Sequence, residues 1–316
     1  MKPRQSVFNS ASEAELFQAI HGTWEPEYRL FPELPFANLV DLNERYLDAA
    51  ELSFLYKTSV DFVLTTASWR PLFALEFDGL GHGYSRDGAY IQRVPSSKDK
   101  NREWKLGLKA RVAAEAGLPF LVVSYDEKAV VDPDTGLIIA HGIIGQFLAK
   151  MHGSLRMQEL YEDEKGFIEE LPAAEREDYV QDNIIIPAEV EAALKWNPIV
   201  ARQARLQQQV LHIMPLCRWG QRPLEDSPRS TNALPFRAEL DTPNFHQSES
   251  PVRRWGSECW VETPFGLARS GPIWVRNFAA PGVHAMSLGW EIAELIAWRS
   301  ALALVTAAPK GTSGAA

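Results

Sequence analysis

The sequence predicts an α/β protein, with an αβββαβ core in its first part and a C-terminal α+β extension. Three observations predict it. Two runs rich in β-branched and aromatic residues, VDFVLT at 60–65 and LFALEFD at 72–78, flank a short turn at 67–71. A helical pattern over about 99–116 is stopped by Gly117 and Pro119. The continuous apolar run LPFLVV at 118–123 then reads as a central strand.

The elements follow in order. Ser10 or Ser12 starts a first helix, since both Ser10–Glu13 and Ser12–Glu15 have capping-box spacing, and Leu16, Phe17 and Ile20 give it an apolar face. Gly22 ends it. The proline-punctuated stretch YRLFPELPFANLV at 28–40 predicts an edge strand and a loop. After the hairpin, Gly79, Gly81 and Gly83 open a loop that runs to about residue 97. In the second helix Trp104, Leu108, Val112 and Ala116 recur at i+4 and predict a buried stripe.

Beyond residue 126 a helix is expected at 137–151, packed on the first domain. Residues 159–182 read as an acidic solvated surface or linker, 186–213 as helical, and 220–251 as a long loop or linker. Glu258–Glu262 and Ile273–Phe278 are expected to pair as a hairpin, and 287–305 forms an apolar helix. Trp255, Trp260, Trp274, Trp290 and Trp298 read as the core of this second unit rather than as stacking platforms for bases. The last residues, PKGTSGAA, read as a disordered tail. The expected division is a first domain at 1–150 and a C-terminal region at 151–316.

Composition narrows the function. No run of about 18 apolar residues is present, so no membrane span is expected, and Met1–Ser6 lacks the apolar stretch of a secretory signal. Two cysteines, Cys217 and Cys259, are too few for a disulfide framework or a thiolate zinc site, which points to a reducing, cytoplasmic setting. The net charge of −9 argues against non-specific coating of nucleic acid. That charge is uneven: residues 1–125 carry −2, and 98–115 hold six basic residues against three acidic ones. A locally basic, phosphate-binding face is compatible with this distribution.

The hairpin carries the chemistry. A turn centred between Ser68 and Trp69 pairs residues whose numbers sum to 137, which places Asp61 opposite Glu76 with Cβ atoms roughly 4.5–5.5 Å apart. Asp78 falls on the Glu76 face, while Phe62, Leu64, Phe73, Leu75 and Phe77 point the other way. Facing carboxylates repel, and a cation relieves them; hard oxygen ligands on a rigid hairpin suit Mg²⁺ or Mn²⁺. Asp61, Glu76 and Asp78 are therefore the candidate ligands, although Asp78 serves equally well as the turn residue of Asp-Gly. On the second helix Arg102, Lys105 and Lys109 share one stripe, from which Lys105 or Lys109 can lean over the sheet toward a phosphate.

The ordered set of Ser12-Glu13-x-x-Leu16-Phe17, YRLFPELPF, VDFVL, PLFALEFDGLGH, a basic helix and AGLPFLVV resembles the PD-(D/E)XK nuclease superfamily. It looks closest to the branch that contains the very-short-patch-repair endonucleases. The likeness covers roughly residues 10–125. It implies a restriction-endonuclease-like core, Mg²⁺-dependent hydrolysis of phosphodiester bonds in DNA, and Asp61 and Glu76 as metal ligands with the Phe77 carbonyl as a third. It also matches Glu13 to an acidic residue on the first helix and His82 to a histidine common in the branch. The departure is Asp78, which stands where the superfamily has its lysine; Lys105 or Lys109 would then supply the amine. The alternative is a catalytically inactive module of the same fold that binds nucleic acid or a protein. Double-strand cleavage implies a homodimer or two successive nicks, and the C-terminal region is the expected surface for a protein partner.

Overall fold

Ser10 lies in extended backbone and its hydroxyl accepts the Glu13 N–H at 3.1 Å, so it opens helix α1 (Ala11–Ile20) and the alternative start at Ser12 is not used. Gly22, at φ 82°, takes the left-handed turn that a side chain would resist. The chain then enters strand β1 (Tyr28–Pro35), a 3-10 turn at Phe36–Asn38 and helix α2 (Ala49–Leu55). Helix α2 was not expected. Its start is a reciprocal cap in which Asp48 accepts the N–H groups of Ala50 and Glu51, and Glu51 accepts that of Asp48. The computed structural model describes residues 8–42, 47–77, 81–84, 90–92, 102–123, 128, 130–224, 233–234, 237–238, 254–276, 279–280 and 283–307.

Strands β2 (Ser59–Thr66) and β3 (Pro71–Phe77) form the expected hairpin. A two-stranded ladder of β4 (Gly81–Tyr84) and β5 (Tyr90–Gln92) lies within the expected glycine-rich loop, whose remainder falls outside the described residues. Helix α3 (Arg102–Glu115) then leads into β6 (Phe120–Val123). The main sheet runs β1-β2-β3-β6, antiparallel except for the parallel β3–β6 pair that α3 connects. The protein is thus mixed α/β, built on a mixed sheet. Both faces of that sheet are covered. Phe62, Leu64, Phe73, Leu75 and Phe77 face a core shared with α1, while Val63, Ala74, Phe120 and Val122 face a second one shared with α3.

The stripe expected on α3 needs correction. Leu108 and Val112 are buried, but Trp104 is 44% exposed and meets Phe54 with the rings tilted at 54°, and Ala116 lies beyond the helix. Leu106, Ala110 and Ala113 are buried instead, because α3 sinks a wide face into the sheet rather than one i+4 row.

After the short ladder of β7 (Val130–Asp132) and β8 (Leu137–Ile138), helix α4 runs unbroken over Ile139–Glu170. It is far longer than the expected 137–151 helix, and the boundary placed at residue 150 falls inside it. The acidic stretch 159–182 is also corrected: it is the second half of α4, helix α5 (Ala173–Val180) and the start of a π turn at Gln181–Ile185. Helices α6 (Ile186–Trp196) and α7 (Pro198–Ile213) match the helical reading of 186–213.

The stretch expected as linker contains β9 (Arg218–Leu224), β10 (Ala233–Leu234) and β11 (Arg237–Ala238); its other residues lie outside those described, as does the terminal PKGTSGAA. Strand β11 pairs antiparallel with β6 and so extends the main sheet. A second sheet is built on β12 (Arg254–Thr263), flanked on one side by β9 and on the other by β13 (Gly266–Arg269) and β14 (Ile273–Arg276). The tight hairpin is therefore β12–β13. The expected pairing of Ile273 onward with Glu258–Glu262 is corrected: Ile273–Arg276 pairs with Arg254–Ser257, the other half of β12.

Following the short ladder of β15 (Ala279–Ala280) and β16 (Val283–His284), helix α8 (Ala285–Ala307) packs on this sheet. A Cβ on Gly289 would stand 3.2 Å from the Ser257 hydroxyl, which shows how closely the helix approaches. Buried residues from Leu16 through Ile139 to Trp298 form one continuous cluster. Of the five later tryptophans, Trp274 and Trp298 are buried as expected, while Trp255, Trp260 and Trp290 are half-buried.

Candidate active site

The β2–β3 register decides whether the two carboxylates meet. Phe62 pairs with Leu75, Val63 with Ala74 and Leu64 with Phe73, each pair summing to 137 as expected. A bulge at Leu64/Thr65 shifts only the turn-proximal residues, so that Thr65 faces Pro71. One step from the Phe62–Leu75 pair, Asp61 lies opposite Glu76. Its carboxylate accepts the Phe77 N–H at 2.7 Å.

Glu76 is buried, and so is Lys109, which reaches it from α3. The Lys109 ammonium donates to the Glu76 carboxylate and, at 2.7 Å, to the Ser59 carbonyl. Of the two candidate lysines, Lys109 is the one that contacts Glu76. Lys105, one turn earlier, is exposed.

Asp61 shows what this packing does electrostatically. Burial pushes its pKa up to about 8 from 3.8, and the charge of Glu76 adds to that; the Phe77 N–H and Lys109 pull the other way. Glu13, on α1, is also raised, chiefly by burial and then by the charges of Asp61 and Glu33, against the Asn9 N–H that it accepts at 2.8 Å. Glu13 thus feels Asp61 and Glu33 while also finishing the helix start.

Glu33 is a member that the sequence reading missed. The β1–β2 pairs Pro32–Phe62 and Leu34–Val60 bracket it opposite Asp61. It sits at φ 55° and accepts the Ser59 hydroxyl at 2.9 Å and the Asn9 side-chain amide. The signal lay in YRLFPELPF: once that strand's register on β2 is known, Glu33 falls on Asp61.

Two expected residues lie beyond description. Asp78 is outside the described residues; His82 falls within β4, with its side chain outside them. Among the described residues, no group of three or more His, Cys, Asp and Glu side chains gathers as a metal cage. What is present is a carboxylate pair next to the Phe77 main chain, with the Asp61 carboxyl pushed toward its protonated form by burial and then by the Glu76 charge. That donor set fits a hard divalent cation carried mostly by water and substrate oxygens.

A concavity of about 550 Å³ lies on the second sheet, lined by Arg222, Glu258, Trp260 and Arg269 among others. None of the hairpin residues contributes to it.

A family model described as a protein of unknown function (DUF2726) matches residues 4–133. That span contains Glu13, Glu33, Asp61, Glu76 and Lys109 and ends before α4 begins. No curated protein and no solved structure matches the chain. No helix among the described residues is long and apolar enough to cross a membrane.

Proposed function

We propose that the chain is a metal-dependent nuclease with a restriction-endonuclease-like core, acting on DNA through Asp61, Glu76 and Lys109. The observation that carries this reading is the carboxylate pair on adjacent strands, with a buried lysine delivered to it by the following helix. Asp61, Glu76 and the Phe77 carbonyl would hold Mg²⁺ or Mn²⁺, which when bound lowers the pKa of water and polarises a phosphodiester.

The chain's own groups do the rest. Asp61 is anchored by the Phe77 N–H and would hold the cation once its proton has passed to solvent. Lys109, fixed by the Ser59 carbonyl, keeps an N–H available to orient a water or to stabilise charge developing on a phosphate oxygen. Glu76 holds that ammonium in place and shares the carboxylate face. Lys109 takes over the role of the motif lysine that Asp78 displaces. Glu13 and Glu33 keep the rim acidic, so that phosphate is accepted only alongside a cation.

Cleavage of plasmid, linear duplex and single-stranded DNA with Mg²⁺, Mn²⁺ or EDTA tests the reading, with wild type set beside Glu76→Ala and Lys109→Ala. Metal-dependent cutting by wild type, lost in both variants, is expected. Cutting that survives Glu76→Ala sinks it.

A second reading is favoured by one observation: Lys109 is engaged by Glu76 in a buried ion pair, which is also what a purely structural lysine would do. In that case the fold binds nucleic acid or a protein without cutting. DNA binding with no cleavage under any divalent ion would select it.

A further inference from the structure

Helix α6 is assembled the wrong way round for a helix that belongs only to this chain. Its buried positions are Ala188, Ala192 and Trp196. It meets α4 where a Cβ on Gly153 would lie 3.6 Å from the Ala192 Cβ, so small residues let the two helices close tightly. The large aliphatic residues are on the other side. Ile186, Val190 and Leu194 recur at i+4, span about 80° of the helix surface and are 44%, 51% and 44% exposed. An amphipathic helix normally buries its large apolar ridge and exposes its small residues. Here the ridge faces solvent.

The charge around it limits what can cover it. Residues 156–195, spanning the second half of α4 with α5, the π turn and nearly all of α6, hold 12 acidic and 4 basic residues, a net of −8 against −9 for the whole chain. Two of the glutamates on α6 are turned toward α4, Glu189 to Lys150 at 3.2 Å and Glu191 to Arg156 at 3.3 Å. Such a surface repels nucleic acid and anionic lipid headgroups. It also opposes a second copy of itself, since −8 would meet −8.

From the outward aliphatic ridge and the acidity of the limb that bears it, we infer that α6 docks a basic amphipathic helix of a partner protein. The partner's aliphatic residues lie against Ile186, Val190 and Leu194, and its lysines and arginines face the surrounding carboxylates. The surface is distinct from the Asp61–Glu76 site, and the inference stands whether or not that site cuts DNA.

The test uses the full chain and three synthetic helical peptides of about 18 residues. One is Leu/Lys amphipathic, one has the same charge with serine in place of leucine, and one is Leu/Glu amphipathic. Titration calorimetry is run on wild type and on Val190→Asp/Leu194→Asp, with circular dichroism to confirm the fold and Val190→Ser/Leu194→Ser as a milder pair. The Leu/Lys peptide should bind wild type, and bind about tenfold or more weakly to both double variants. Equal binding of the serine peptide would reduce the surface to charge attraction and overturn the inference, as would failure of every peptide to bind. Sedimentation showing a wild-type dimer that Val190→Asp/Leu194→Asp dissolves would overturn it in favour of self-association.

Discussion

The Lys109 ammonium on α3 donates both to the Glu76 carboxylate of β3 and to the Ser59 carbonyl of β2, so one side chain joins a helix to two strands. A lysine that only neutralised a carboxylate would need a single contact. Two fixed contacts give the ammonium a set direction beside Asp61.

Removing that ammonium leaves Glu76 buried without its cation. Lys109→Met should cost about 3–5 kcal/mol in urea unfolding at neutral pH, while the paired change Glu76→Gln/Lys109→Met should recover most of that loss. A single variant as stable as wild type would show that the ion pair adds nothing net to stability.

Asp61 sets a pH dependence of definite sign. Folded, it keeps its proton up to about 8; unfolded, it ionises near 3.8. Between those values the native state binds the extra proton, so in metal-free protein its contribution to stability is complete at low pH and declines as pH rises toward 8. Asp61→Asn, which mimics the protonated form, should flatten that decline and be more stable than wild type at pH 8, yet lose divalent-ion binding. Ion affinity in wild type should rise by up to about tenfold per pH unit until the proton is gone.

Asp132 predicts the opposite slope. It is fully buried, yet the Thr135 hydroxyl and Arg202, at 2.8 Å, outweigh burial and hold its pKa below 3.8. Stability from this pair is present above 3.8 and lost as pH falls through the lower folded value. Arg202→Ala, which leaves the carboxylate buried beside the more distant Arg299, should cost about 3–5 kcal/mol at pH 7 and remove this acid-limb transition, as read by urea melts across pH.

Glu291 is locked as a double acceptor. Gln146 donates to one oxygen at 2.8 Å and Asn197 to the other at 2.9 Å, and both amides are held in that sense because their own oxygens accept main-chain N–H groups. Glu291→Gln would set an amide N–H against a donor. A loss of about 1–3 kcal/mol is expected in thermal or urea unfolding, where a surface Glu→Gln would show almost none.

The site was largely legible in the sequence because it depends on a short-range rule. A hairpin with few turn residues fixes its register, and two-residue alternation then puts Asp61 across from Glu76; even the bulge at Leu64/Thr65 is absorbed before those residues are reached. Glu33 was not legible, since nothing local relates β1 to β2 across the intervening α2. The α3 stripe was misjudged because i+4 recurrence identifies one row, whereas a helix lying between a sheet and α2 buries several. The acidic run 159–182 reads as solvated, and it is: its residues are mostly exposed, but they are helical, because charge does not prevent a helix that buries only an occasional apolar residue such as Ile168. The β11–β6 pairing unites segments more than 100 residues apart, and no periodicity within either segment announces it.

That last pairing has a consequence for how the protein is made. Strand β6 is finished at Val123, but its outer edge is met by β11, at Arg237–Ala238. At about 5–20 residues per second on a ribosome, the edge waits roughly 6–23 s for its neighbour. During that interval a newborn chain presents an open β edge beside the very strand whose partner carries Glu76. Completion of the main sheet is thereby postponed until most of the polypeptide has emerged, although Glu13, Glu33, Asp61, Glu76 and Lys109 have all been made by then.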